Sequence, residues 1–140
     1  MRTERYLHNE RGRTPPVRKQ VYVVDDDESV GRALKSLMLA YGFAVRIFQS
    51  AEDFFSAIPN GAPGCLILDI CMPQMEGWEA QEHLLKSGSK RPVIMITGNK
   101  NTGFNERALK AGAAGFLQKP FHDRDLIILI NQAMPNKQEE

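Results

Sequence analysis

Four stretches of the chain carry residues suited to chemistry: Asp25-Asp26-Asp27, Asp69, Thr97-Gly98 and Lys119-Pro120. The first three directly follow a short apolar run, and the fourth is separated from one by Gln118. Packed carboxylates repel one another and favour a hard cation with oxygen ligands, and Mg²⁺ takes one or two carboxylates together with waters and phosphate oxygens. Beside a clamped metal, a carboxylate can act as a nucleophile toward a phosphoryl group and give an acyl phosphate. Lys119 would supply a point charge for a developing phosphoryl oxygen, and the Thr97 hydroxyl a donor that registers its arrival.

These residues are far apart in sequence, so a fold has to bring them together. From Val21 onward, short apolar runs alternate with amphipathic stretches, the pattern of a parallel sheet covered by helices on both faces. The expected strands are Val21-Tyr22-Val23-Val24, Phe43 to Phe48, Cys65-Leu66-Ile67-Leu68, Val93 to Ile96 and Gly115 to Leu117. Continuous apolar runs in the first, third and fourth place them at the centre, buried on both faces. Val30, Leu34, Leu37, Met38 and Tyr41 form the inward stripe of a first helix that Gly42 ends. Ser50 and Asp53 resemble a capping box for a short second helix, stopped by Pro59-Asn60-Gly61. Trp78, Gln81, Leu84 and Leu85 give a third helix, Asn105 to Ala111 a fourth, and Asp123 to Met134 a fifth that stops before Pro135. The fold class is therefore α/β, a doubly wound five-stranded parallel sheet. In such a sheet the loops at the carboxyl ends of the strands converge on one crevice, and the four chemical stretches all sit at strand ends.

With 140 residues, 42% apolar and 25% charged, the chain can bury one ordinary core, and no second folded domain is expected. The densest apolar run, Leu126 to Ile130, is far short of the roughly 20 residues a membrane span needs, so a cytoplasmic protein without membrane association is expected. Cys65 and Cys71 make neither a disulfide framework nor a zinc site and are read as reduced thiols. Residues 1–20 hold six basic side chains against Glu4 and Glu10, a charge of +4 that leaves −3 on the rest of the chain. This stretch is read as a flexible basic arm and residues 135–140 as a tail. With only Tyr6 available for stacking, direct nucleic-acid binding is not expected. Asp27 suits the N-cap of the first helix, Trp78 and the methionines suit packing, and His8, His83 and His122 suit solvated surface.

Over Val21 to Met134 the chain resembles the receiver domains of two-component response regulators, which share a flavodoxin-like fold. The resemblance is carried by Val23-Val24-Asp25-Asp26-Asp27-Glu28, by Leu68-Asp69-Ile70-Cys71-Met72-Pro73-Gln74-Met75-Glu76-Gly77, by Ile96-Thr97-Gly98, and by Ala111-Gly112-Ala113-Ala114-Gly115-Phe116-Leu117-Gln118-Lys119-Pro120-Phe121. Ser29-Val30 and Ser50-Ala51-Glu52 look like the subfamily that often precedes LuxR-type DNA-binding domains. The resemblance implies a signalling phosphoacceptor rather than an enzyme in the usual sense. Asp69 would take a phosphoryl group from a sensor histidine kinase or a phosphotransfer protein, with Lys119 and Thr97 assisting. Mg²⁺ would be held by Asp26 directly, by Asp25 through water, by Asp69 and by the backbone carbonyl of Cys71. Thr97 and Phe116 would form the switch pair, and the Lys119-Pro120 bond would be cis.

Ile128 is expected to be exposed on the fifth helix with Leu129 on its flank. This implies a homodimer or partner contact through the face made by helix 4, strand 5 and helix 5. A rival reading is a hydrolase of the haloacid-dehalogenase type, using Asp25-Asp26-Asp27 as its D-x-D with Asp25 as nucleophile, and Thr97 and Lys119 as its next motifs. It fits worse, because Ser29 stands where that family expects Thr or Val and because Asp69 would have no role.

Overall fold

The computed structural model describes residues 18–70, 77–98 and 103–135. Its strands are β1 (Gln20–Val24), β2 (Ala44–Phe48), β3 (Cys65–Asp69), β4 (Val93–Thr97) and β5 (Gly115–Gln118). The helices are α1 (Glu28–Ala40), α2 (Ala51–Ala57), α3 (Gly77–Lys86), α4 (Phe104–Lys110) and α5 (Asp123–Ala133). The strands form one parallel sheet in the order β2-β1-β3-β4-β5. The three strands with continuous apolar runs are thus the central ones, as expected, and β3 and β4 are buried at every position.

Side-chain alternation splits these strands between two cores. Tyr22, Val24, Leu66, Leu68 and Met95 point to the layer of α2, α3 and α4, where Phe54, Ala80, Leu84 and Ala108 meet them. Val21, Val23, Ile67, Ile94 and Ile96 point to the layer of α1 and α5 and meet Leu34, Met38, Leu126, Ile127 and Ile130. Each fully buried aliphatic side chain contributes about 1.5–3 kcal/mol relative to exposure, so the two layers hold the sheet rigidly between them.

Local signals set the boundaries. Asp27 caps α1, accepting from the Ser29 and Val30 N–H groups at 3.0 and 3.3 Å, and Ser50 Oγ caps α2 by accepting from the Asp53 N–H at 3.0 Å. Gly42 takes φ +92° past the end of α1, and the Phe43 N–H then closes the turn on the Met38 carbonyl at 3.0 Å. That turn is why β2 begins at Ala44 rather than at Phe43, although Phe43 remains buried.

Two expected inward residues turn out to be exposed. Tyr41 is 53% exposed because it is the C-cap, where the backbone leaves the helix and the periodicity lapses. Leu85 is 57% exposed, and Leu84 alone takes the core position at that end of α3. On α5, Ile128 is 43% exposed as expected, but Leu129 is partly buried. It lies over Gly115, where a Cβ would come within 3.0 Å of Leu129 Cδ1, so glycine lets α5 approach β5.

Candidate functional site

The parallel register brings the strand ends level with one another. Val24 pairs with Leu68, Asp69 with Ile96, and Thr97 with Gln118, so the residues at or just beyond those ends open onto one crevice. Three backbone bonds hold the strand exits in place: Asp25 N–H to the Phe48 carbonyl at 3.1 Å, Ile70 N–H to Ile96 at 3.0 Å, and Lys119 N–H to Thr97 at 2.7 Å. The Lys119-Pro120 bond is cis, as the family resemblance implied.

Carboxylate oxygens of Asp25, Asp26 and Asp69 lie within 4.8 Å of one another. Asp25 is fully buried, Asp69 is 7% exposed and Asp26 is exposed. Asp25 is held at both oxygens, with Oδ1 accepting the Asp27 N–H at 2.9 Å and Oδ2 accepting from Lys119 Nζ at 3.2 Å. The same ammonium lies 3.8 Å from Asp69 Oδ2, so Lys119 bridges the two buried carboxylates. At an effective dielectric of about 20, two carboxylates at this range repel by about 3 kcal/mol. Among the described residues, one ammonium among three carboxylates leaves the cluster with excess negative charge, which a divalent cation would neutralise. The donors are all carboxylate oxygens, which suits Mg²⁺ and not zinc, whose sites favour sulfur and imidazole.

Thr97 is fully buried at the end of β4, and Phe116 on β5 is partly buried against the core beneath α3 and α4. The sequence-predicted residues Asp25, Asp26, Asp69 and Lys119 therefore come together, with Thr97 at a neighbouring strand end. Cys71, expected to offer its carbonyl, lies outside the described residues, as does His8. Of the remaining predictions, Asp27 stands outside the cluster as the helix cap; the hydrogen bond from the Ser29 hydroxyl, with that from the Val30 N–H, holds its carboxyl below the usual range. The Cys65 thiol is pushed up to about 12 by burial and is chemically inert. His83 and His122 are exposed, as expected.

Sequence reasoning missed two arrangements. Arg91, to which the sequence reading gave no role, lays its guanidinium against the Tyr22 and Phe54 rings at 5.1 and 5.4 Å and donates to the Gly64 and Pro59 carbonyls at 3.1 Å each. Gln81, expected only as part of the third helix, is 3% exposed and donates from Nε2 to the Ala111 carbonyl at 2.9 Å. Neither pairing has a local sequence signal, since the partners lie 27 to 32 residues away.

A doubly wound α/β domain with an acidic pocket and a lysine at the carboxyl ends of its strands defines the class of phosphoacceptor signalling domains. Residues 21–131 match the family model described as "Response regulator receiver domain", and the chain belongs to that family. It is 41% identical over 114 residues to the response regulator protein TmoT of Ectopseudomonas mendocina, a match covering 81% of this chain and 52% of that one. It is 39% identical over 113 residues to the transcriptional regulatory protein FixJ of Rhizobium meliloti, covering 81% and 55%. The solved structure of FixJ-N is similar at a TM-score of 0.78 and 37% identity, over 84% of this chain and 94% of that one. The chain spans about half the length of these curated relatives. It is a receiver domain of the two-component response-regulator type, and among the described residues no helix is long and apolar enough to cross a membrane.

Proposed function

We propose that Asp69 is the phosphoacceptor and that a sensor histidine kinase or phosphotransfer protein in the cytoplasm is the donor. The observation that carries this reading is the convergence of Asp25, Asp26 and Asp69 within 4.8 Å, with Lys119 Nζ at 3.2 and 3.8 Å from the two buried members. A carboxylate oxygen of Asp69 forms the new bond to phosphorus as the bond from phosphorus to the donor nitrogen breaks, and the leaving imidazole takes a proton from solvent. Lys119 moves its charge onto a transferred phosphoryl oxygen, and the Thr97 hydroxyl donates to another. Asp25, Asp26 and Asp69 would hold Mg²⁺, with the Cys71 carbonyl completing the protein ligands, and the ion when bound would supply charge neutralisation for the phosphoryl oxygens. The hydrolase alternative fares worse, because Asp25 would have to release a backbone N–H and an ammonium before either oxygen could attack. Acetyl phosphate with Mg²⁺ should add one phosphoryl mass to the wild type and none to Asp69→Ala. Equal labelling of both proteins would overturn the assignment.

The reading extends to the surface that responds, with Thr97 and Phe116 as the switch pair. Thr97 ends β4, just ahead of α4, and Phe116 lies in β5, so phosphorylation should be felt on the face of α4, β5 and α5. Phe104 and Arg107 of α4 both lie against Trp78 of α3, and Ala108 points to the core. Leu109 therefore falls on the flank of α4 away from Trp78, where it is 56% exposed, and Ile128 on α5 is 43% exposed. A phosphorylation-tightened dimer through this apolar face is the expected result. Sedimentation should show beryllofluoride, a phosphoryl mimic, raising the mass of wild type but not of Ile128→Asp. Mimic-independent, identical masses would remove the dimer.

A further inference from the structure

A second cleft lies at the amino ends of β3 and β4, at the other end of the sheet from the acidic pocket. It holds about 370 Å³ between the segment that follows α2 and the segment that leads into β4, and Asn60, Gly64, Gly88, Lys90 and Arg91 are among the residues that line it. Arg91 donates across it to the Pro59 and Gly64 carbonyls, and Asn60 Nδ2 donates back to the Ser87 carbonyl at 3.2 Å. The two walls are therefore tied to each other, and the shape of the cleft is present before anything binds. A Cβ at Gly61 or Gly88 would meet nothing within 4 Å, so the mouth stands open.

The charge in this cleft is of one sign. Lys90 is exposed and makes no ion pair among the described residues, and no Asp or Glu lines the cleft. Arg91 is set against rings and carbonyls, its Nε is buried without an acceptor among the described residues, and the groups that bear on its charge include no carboxylate. A partly buried cation with only neutral partners lacks the counter-charge that would offset its loss of water. Each terminal nitrogen of a guanidinium carries a pair of N–H groups, and the bond from Arg91 Nη2 to the Pro59 carbonyl is exposed, so Nη2 keeps a second donor for a ligand. Two cations with no acid beside them match a dianion, and a tetrahedral oxyanion has acceptors enough to take donors from both.

We propose that this cleft binds the dianionic phosphate group of a small molecule, as the free ion or as a monoester, with Lys90 Nζ and Arg91 Nη2 donating to its oxygens. The inference does not depend on Asp69, because the cleft shares no residue with the acidic cluster. Without divalent ions that cluster repels such an anion, so the two ends of the sheet sort it by charge. Both walls exist only in the folded chain, so an occupant also stabilises the fold.

The experiment titrates inorganic phosphate into the full chain with a chelator present, at slightly alkaline pH where phosphate is a dianion, against sodium chloride at equal ionic strength. Amide and arginine Nε resonances are followed by nuclear magnetic resonance. Saturable shifts should appear at Gly61, Gly64, Gly88, Lys90 and Arg91, with Asp25 and Asp69 unmoved. Lys90 is exposed, so its variants should keep the fold: Lys90→Gln should weaken phosphate about two- to fivefold, the factor of one exposed charge pair, and Lys90→Glu should abolish the saturable shifts. Methyl phosphate separates the two sources, since shifts as strong as those of phosphate assign the head of an ester and weaker ones the free ion. Shifts that chloride reproduces, that do not saturate, that fall on the acidic pocket, or that Lys90→Glu leaves intact would overturn the site.

Discussion

The two ends of the same sheet are built on opposite electrostatic plans. At the amino ends, Arg91 is held by neutral groups: its guanidinium lies against two aromatic rings, donates from its two terminal nitrogens to two carbonyls of the segment that follows α2, and stands just ahead of β4. Burial lowers its affinity for the proton without removing the charge. Gly64 helps, taking φ +138° where a Cβ would come within 2.6 Å of the Tyr22 ring. At the carboxyl ends, three carboxylates crowd around one ammonium. One end ties its cation to rings and carbonyls, leaving the Arg91 Nε without an acceptor among the described residues, and holds the sheet to its loops. The other end gathers an excess of negative charge, the arrangement that the proposed cation and phosphoryl group would use. β4, a strand of 5 residues, connects the two ends.

This contrast can be broken from either side. The largest effect is expected at the amino end: Arg91→Ala strips two carbonyls of their donor and the Tyr22 and Phe54 rings of their cation, and should lower stability by about 2–3 kcal/mol in urea unfolding. Its phosphorylation per folded molecule should be unchanged, and a variant as stable as wild type would show that the clamp does not hold that end. A smaller effect of opposite sign is expected at the acidic end. Without divalent ions, Asp26→Asn should raise stability by about 0.5–1 kcal/mol, the solvent-screened repulsion of one exposed carboxylate, and the Mg²⁺-dependent rise in thermal midpoint should vanish. An Asp26→Asn protein that is no more stable than wild type and still responds to Mg²⁺ would mean that the cluster is neither strained nor the metal site.

The sequence made the site easier to read than the contacts around it, for a physical reason. Asp25, Asp69 and Thr97 sit at the end of an apolar run and Lys119 one residue beyond another, so once the runs are assigned to a parallel sheet its geometry brings them together. Caps were equally legible because Asp27 and Ser50 act on backbone only two or three residues away. Periodicity failed at helix ends, where Tyr41 and Leu85 lie on the border of the stripe and α1 and α3 are about to stop. The contacts of Arg91 and Gln81 were not foreseen because their hydrogen-bond partners are carbonyls, and every residue but one in a sequence offers a carbonyl of the same kind. Leu129 was misplaced because its neighbour is a glycine on β5, and a residue without a side chain leaves no mark of what packs on it.

The central claim is that the phosphoryl group is carried by Asp69 and not by Asp25, which is fully buried and held at both carboxylate oxygens. The direct measurement is to phosphorylate the wild-type chain with acetyl phosphate and Mg²⁺, reduce the acyl phosphate with borohydride, and locate the resulting homoserine by peptide mass. The account predicts conversion at position 69 alone, lost when Mg²⁺ is chelated. Conversion at position 25, or at neither position while the protein still takes up phosphate, would contradict it.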